Sequence, residues 1–253
     1  MTSTPVGGVG RSPGEPVRPL SALALSPAIL VLLLAGLALR LLVAYVLFPG
    51  SGFESDLASY ASWASSMAEY GPAGFYDNAG FADYPPAYLY VLWLVGSLAG
   101  AAASATELIK LPPILLDIAV GYVIYRLVRG WTWPGVRSEG LALAAAALYV
   151  FNPVSFYDSA LWGQTDAAGA LVILLGLAAL IRGNSEGAAA MAATAALVKP
   201  QFGVVLIPIM AAVLLKRHLL RVGSGPVSYT HLRAHETGSG ISYSVFCLKK
   251  VGG

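Results

Sequence analysis

An aspartate followed by aromatic residues at helical spacing is the first feature of this sequence with chemical potential. Across residues 55–67, Asp56, Tyr60, Trp63 and Met67 recur at intervals of four and three, which puts them on one face of a helix; Ser and Ala fill most other positions. The expected product is an amphipathic helix at the membrane interface presenting one carboxylate among rings. Such a carboxylate can serve as a general base when partial burial tunes its proton affinity. The alternative is an ordinary first-turn acid favoured by the helix dipole, with Ser55 as the cap.

Five further places carry polar groups in apolar surroundings. Residues 152–166 contain Asn152, Ser155, Tyr157, Asp158, Trp162, Gln164, Thr165 and Asp166. Their amides, hydroxyls and carboxylates beside aromatic platforms suit a sugar. They would equally suit a helix–loop–helix in which Trp162 anchors the interface and Thr165 or Asp166 caps the next helix. Tyr84-Pro85-Pro86 forces an extended entry and then permits a helix to start, and it serves either as punctuation or as a substrate contact. Lys199 lies between two apolar half-helices, where an ionisable group costs about 2.5–3.5 kcal/mol to insert. It can hold a phosphate or pair with Asp117, Asp158 or Asp166. Arg40, inside the first apolar run, either pairs within the bundle or faces the same cavity, and Asp117 is either a pairing partner or a helix–helix contact.

The elements that must position these groups are transmembrane helices. Of the 253 residues, 57% are hydrophobic and only 11% are charged, which is incompatible with a water-soluble domain. The expected fold is all-α, a polytopic transmembrane helical bundle with interfacial helices in its first outer loop. Apolar runs at 27–48, 111–128, 140–152 and 167–181 read as spans, and 187–198 with 202–215 as a broken hairpin around Lys199. Residues 49–84 carry five acids and no base and read as a largely non-periodic outer loop, as does 152–166, within outer loops set at 49–110 and 152–166. Segment 85–103 is expected to lie in or dip into the interface, with Tyr84, Tyr88, Tyr90 and Trp93 at headgroup level. Bases at Arg126, Arg129, Arg137, Arg182, Lys216, Arg217 and Arg221 mark the cytoplasmic side together with the N-terminus. The implied location is a plasma membrane crossed several times, with the N-terminus cytoplasmic.

The net charge of +2 is too small to suggest a nucleic-acid partner. One cysteine and three histidines leave no disulfide framework or Cys/His zinc site. No nucleotide-binding glycine loop, zincin helix, nucleophile elbow or Asp-x-Asp pair is present. Neither a metal nor another cofactor is therefore expected.

Taken in order, Asp56 with Tyr60 and Trp63, Tyr84-Pro85-Pro86, Asp117, Asn152-Pro153, Trp162-Gly163-Gln164-Thr165-Asp166 and Leu197-Val198-Lys199-Pro200-Gln201 resemble the integral-membrane C-type glycosyltransferases. The order is similar to that in bacterial relatives of the dolichyl-phosphate-glucose glucosyltransferases and the GPI mannosyltransferases. The resemblance covers roughly 27–221, which it identifies as the N-terminal module of such a fold. It implies a polyprenyl-phosphate-linked hexose (mannose or glucose) as donor and a glycan, lipid or protein as acceptor. It also implies inverting transfer at the outer membrane face, with Asp56 as base. Lys199 and Arg40 become candidates for the phosphate. Tyr60, Trp63, Tyr84, Asp117, Asn152, Trp162, Gln164 and Asp166 become candidates for sugar or acceptor contacts.

Two other classes remain open: a secondary transporter or lipid flippase, and a non-catalytic assembly subunit. Residues 1–26 read as a disordered cytoplasmic tail. Residues 222–253 resemble translated sequencing adapter and read as a non-native tail, so His231, His235 and Cys247 are expected to be functionless. Family members continue through more spans than this chain holds, so the truncated chain is expected to be inactive by itself. Residues 1–225 carry 12 bases against 12 acids, and the whole net charge arises beyond them.

Overall fold

The computed structural model describes residues 26–99, 108–130 and 138–215. The N-terminal tail short of Ser26, Arg137, the basic cluster Lys216, Arg217 and Arg221, and the whole of 222–253 lie outside the described residues.

All regular structure among the described residues is helical. In chain order, α1 is Pro27–Leu41 and runs on through a π-helical turn Leu42–Leu47. Then come α2 (Glu54–Asn78), α3 (Pro86–Ala99), α4 (Leu111–Arg129) and α5 (Ser138–Val150). A short α6 (Pro153–Phe156) continues as a π-helical turn Tyr157–Trp162. Helix α7 is Asp166–Ile181 and α8 is Ser185–Val198; a 3₁₀ turn Pro200–Val205 leads into α9 (Leu206–Leu215).

Two helices, Pro27–Leu47 and Leu111–Arg129, are long and apolar enough to cross a membrane. A third span arises if Glu139–Val150 and Pro153–Trp162 count as one helix bent by 47°. The chain is thus a multi-pass membrane protein built as a helical bundle. Pro86–Ala99, Asp166–Ile181 and Ser185–Val198 are shorter apolar helices.

Helices α1, α4 and α5 form one unit, tied at both ends by polar contacts. At one end Ser26 caps α1, its Oγ accepting from the Ile29 amide, and also donates to Glu139 Oε1 at 2.9 Å. Tyr125 of α4 donates to the same Glu139 oxygen at 2.7 Å, and Arg129 pairs with Glu139 at 2.9 Å. Toward the other end Arg40 of α1 is wholly buried and pairs with Asp117 of α4, Nη2 to Oδ2, at 2.6 Å. Arg40 Nη1 reaches the Val150 carbonyl at 2.9 Å and the Gly36 carbonyl at 3.2 Å, while Nη2 donates to Ser155 Oγ at 2.9 Å. Asp117 also accepts from Ser159 at 2.9 Å, from Ser155 and from Tyr149. The approach is close because Gly36 and Gly121 face Val150: a Cβ on either would stand 2.1 or 2.5 Å from a Val150 methyl. Small residues at such a crossing let helix backbones meet inside a bilayer.

The second unit is α2 packed on α3, with α8 against α3. Leu57, Tyr60, Trp63, Ala64 and Met67 supply the buried stripe of α2, and Tyr88, Leu89, Leu92 and Val95 that of α3. Helix α7 packs between α4 and α8 and joins the two units.

The sequence expectations need correction at several points. Much of 49–84 is helix rather than irregular loop: α2 runs 25 residues and tolerates a break at Gly71 (φ 67°) followed by Pro72. Its cap position is Phe53, with no side-chain cap, so Ser55 does not cap it. Residues 152–166 are mostly helical turn, ended by Gly163 in the left-handed region. Arg40 and Asp117 do not face a cavity. Each satisfies the other, and with five carbonyl or side-chain partners between them no group is left for a ligand. Asn152 is exposed and accepts from the Val154 amide at 2.9 Å, capping α6 rather than reaching the other site residues.

Breaking the Arg40–Asp117 pair strands a buried charge, which costs about 3–5 kcal/mol. Arg40→Met is expected to lower unfolding stability by that amount in detergent. Arg40→Met combined with Asp117→Leu should recover most of the loss. A denaturant titration in which the double variant is as unstable as the single one would refute the pairing role.

Candidate functional site

The carboxylate of Asp56 lies in the first turn of α2, half-buried. Its Oδ2 accepts from Trp162 Nε1 at 3.0 Å and from Gln164 Nε2. Its Oδ1 has a single long contact, 3.4 Å, from Ser55 Oγ. The carboxylate is therefore anchored through one oxygen, and the other is far less engaged.

Gln164 reaches Asp56 because Gly163 turns the chain at φ 81°. The Gly163 and Gln164 amides both donate to the Asp158 carbonyl, at 2.9 and 3.0 Å, which fixes the turn. A Cβ at position 163 would lie 2.9 Å from Leu57 Cδ2, so both the angle and the space call for glycine. The orientation of the Gln164 amide follows from its neighbours. Its Oε1 accepts from Lys199 Nζ at 2.8 Å and from Tyr60 Oη at 3.2 Å; an ammonium can only donate and an ionised carboxylate can only accept. One amide thus stands between an anion and a cation that would otherwise attract each other.

Lys199 sits in extended backbone (φ −146°, ψ 139°) at the break between α8 and the 3₁₀ turn. It is 7% exposed. Its ammonium pairs with Asp166 Oδ1 at 2.5 Å and lies 5.5 Å from the centre of the Tyr84 ring. Of the partners weighed from sequence, it has taken Asp166, in the first turn of α7. Thr165, at the cap position of that helix, makes no side-chain cap bond.

Rings close the remaining side. Tyr60 and Tyr84 hydroxyls are 2.8 Å apart, their rings edge-on at 5.7 Å. Trp63 packs on Tyr84 at 5.2 Å and donates its indole N–H to the Phe81 carbonyl at 3.0 Å. Burial, and then the Tyr84 hydroxyl, raise the Tyr60 pKa above the ordinary phenol value, so it stays a neutral donor. Tyr76 Oη holds the Tyr84 carbonyl at 3.0 Å and fixes the entry into α3.

These groups enclose a cavity of about 550 Å³ lined by Asp56, Tyr60, Trp63, Tyr84, Gln164 and Lys199 together with Ser55, Ser59, Phe81, Asp83, Pro200 and Gln201. That volume falls in the range of small-ligand pockets. Of the sequence candidates, Trp162 and Asp166 support this wall from behind through Asp56 and Lys199, while Arg40, Asp117 and Asn152 lie elsewhere. Ser59 and Asp83 were not singled out from sequence. Ser59 follows Asp56 by three residues, on the same helical face, and Asp83 directly precedes Tyr84, so spacing alone would have found both. Among the described residues no three His, Cys, Asp or Glu side chains gather as metal ligands would.

Chemically, the arrangement offers a tethered carboxylate, a cation one amide away, hydroxyl and amide groups, and ring edges. It can take a polar ligand with an apolar face and a nearby negative charge. A family model described as "GPI transamidase subunit PIG-U" matches residues 57–248, which takes in every cavity-lining residue except Ser55 and Asp56. No curated protein and no solved structure matches the chain.

Gly163→Ala tests the turn. A strained left-handed alanine costs on the order of 1–3 kcal/mol, and the change should also release Trp162 and Gln164 from Asp56. Faster amide exchange across 157–166 would report that release. Unaltered exchange and melting would show the turn to be dispensable.

Proposed function

The chain belongs to the PIG-U family; taking that membership with the cavity, we propose that it binds the sugar of a polyprenyl-phosphate-linked donor and transfers it to an acceptor hydroxyl. The observation that carries this reading is the Asp56 carboxylate, held through Oδ2 and facing a cavity that also contains Lys199. Asp56 would take the proton from the acceptor hydroxyl as its oxygen attacks the anomeric carbon. The bond from that carbon to the phosphate oxygen breaks, the carrier leaves as polyprenyl phosphate, and the configuration inverts. Lys199, already desolvated, would balance charge developing on the leaving phosphate. Tyr60, Trp63 and Tyr84 would bear on the sugar, with hydroxyl and amide groups to its rim and ring edges to its apolar face. The acceptor is a glycan, lipid or protein, and the setting we assign is a bacterial inner membrane with the cavity on the outer face.

The family description favours a second reading. As a subunit of a GPI transamidase, a chain of this build would hold a glycan in the same cavity without forming a glycosidic bond, and Asp56 would be a hydrogen-bond acceptor for it.

The two separate on Asp56→Asn, which keeps size and hydrogen bonding but cannot take the proton. In proteoliposomes of a full-length relative carrying this change and given labelled polyprenyl-phosphate hexose, transfer should fall by about 10²–10⁴-fold with donor binding nearly intact. A wild-type full-length relative that binds glycan and transfers nothing would favour the subunit reading. Transfer by Asp56→Asn at the wild-type rate would remove the base assignment.

A further inference from the structure

A second cavity, of about 380 Å³, lies on the other side of Trp162. Its walls come from the chain just past the α1 span, Phe48 and Phe53, and from the π-turn, Tyr157, Leu161 and Trp162. The Trp162 ring lies 5.4 Å from Phe53 and 6.3 Å from Tyr157, while its N–H is turned to Asp56. Leu47 and Phe48, at the end of the span, are about half exposed, so this groove borders the surface that faces lipid.

Beside the groove lies a cation without a counter-charge among the described residues. Lys110, directly before α4, is 3% exposed. Its ammonium donates to the carbonyl of Ser51, which itself lines the groove. It forms no ion pair among the described residues, unlike Arg40, Arg129 and Lys199. An ammonium has three donors, and here one is used. Burial lowers the Lys110 pKa from the ordinary lysine value.

We propose that this groove and Lys110 together form a site for one anionic phospholipid of the bilayer, with its phosphate on the ammonium and one acyl chain along Phe48, Phe53, Tyr157 and Leu161. Charge complementarity favours a net-anionic headgroup, since a zwitterionic lipid brings its own ammonium beside the same phosphate and compensates the buried cation less. Aromatic residues at the end of a span are those that meet headgroups. A sugar donor fits the groove less well: with its phosphate at Lys110, the Trp162 ring would separate its anomeric carbon from Asp56. The site is therefore distinct from the Asp56 cavity, and the lipid in it would back the tryptophan that anchors Asp56.

The test uses the full chain in nanodiscs of equal phosphatidylcholine and phosphatidylglycerol, followed by native mass spectrometry. One phosphatidylglycerol per chain should be retained, about tenfold over phosphatidylcholine, as expected for a charge-assisted contact. Lys110→Arg should keep that preference and Lys110→Met should abolish it, with thermal melting to verify that each variant is folded. Independently of either variant, phosphatidylglycerol with brominated chains should quench tryptophan fluorescence, and Trp162→Phe should reduce that quenching. Equal retention of the two lipids, a preference that survives in folded Lys110→Met, or quenching unchanged by Trp162→Phe would each overturn the proposal. Displacement of phosphatidylglycerol by equimolar polyprenyl phosphate would overturn it too, assigning the groove to the carrier instead.

Discussion

The ion pair of Arg40 with Asp117 is the interaction on which the remaining architecture rests. Inside a bilayer there is little hydrophobic force to bring helices together, since lipid tails are as apolar as leucine. A guanidinium and a carboxylate that cannot remain unpaired supply a directional reason for α1 and α4 to meet in one register. The pair then recruits the Val150 carbonyl at the end of α5 and the hydroxyls of Ser155 and Ser159. Those two serines belong to the segment that ends in Trp162 and Gln164. A cluster buried in the bundle therefore sets the height and angle of the two side chains that hold Asp56.

The site has a different electrostatic logic. Arg40 and Asp117 neutralise each other in direct contact, whereas Asp56 and Lys199 are kept one amide apart by Gln164. Direct pairing would spend the carboxylate as a counter-ion and the ammonium as its partner. The intervening amide leaves both charges oriented toward the cavity, and Asp166 takes up part of the lysine's charge from outside it. A glutamate at position 164 could not do this, because it has no N–H to give to Asp56.

Much of this was readable before any fold was known, for identifiable reasons. The spans 27–48 and 111–128 were legible because composition and run length decide them, whereas 140–152 crosses only if counted with the bent Pro153–Trp162 and 167–181 is a shorter apolar helix; the broken segment around Lys199 was legible because a charge and a proline interrupt an apolar run. The face of Asp56, Tyr60 and Trp63 followed from helical periodicity alone. What could not be read was partner choice. Arg40 and Lys199 look alike in sequence, each a single base in apolar surroundings; only packing across 77 residues in one case and 33 in the other separates a structural pair from a cavity wall. Asn152 lies apart from the cavity because an Asn before Pro is also a capping signal, and here it caps α6. The length of α2 was missed because Gly71 and Pro72 look like a terminus and act as a bend.

The cavity is closed by bonds between residues far apart in the chain: Asp56 to Trp162 and Gln164 spans 106 and 108 positions. During synthesis, at about 5–20 residues per second, α2 must wait roughly 5–20 s for these partners to emerge. Throughout that interval Tyr60 and Trp63 have only Phe81 and Tyr84 to pack on, and the Asp56 carboxylate lacks both of its anchors. The α2–α3 pair must hold its shape alone until the second half arrives. A ribosome stalled between the codons for α3 and α7 would leave in the membrane an intermediate with an open, wetted pocket, suited to capture by a chaperone or a quality-control protease.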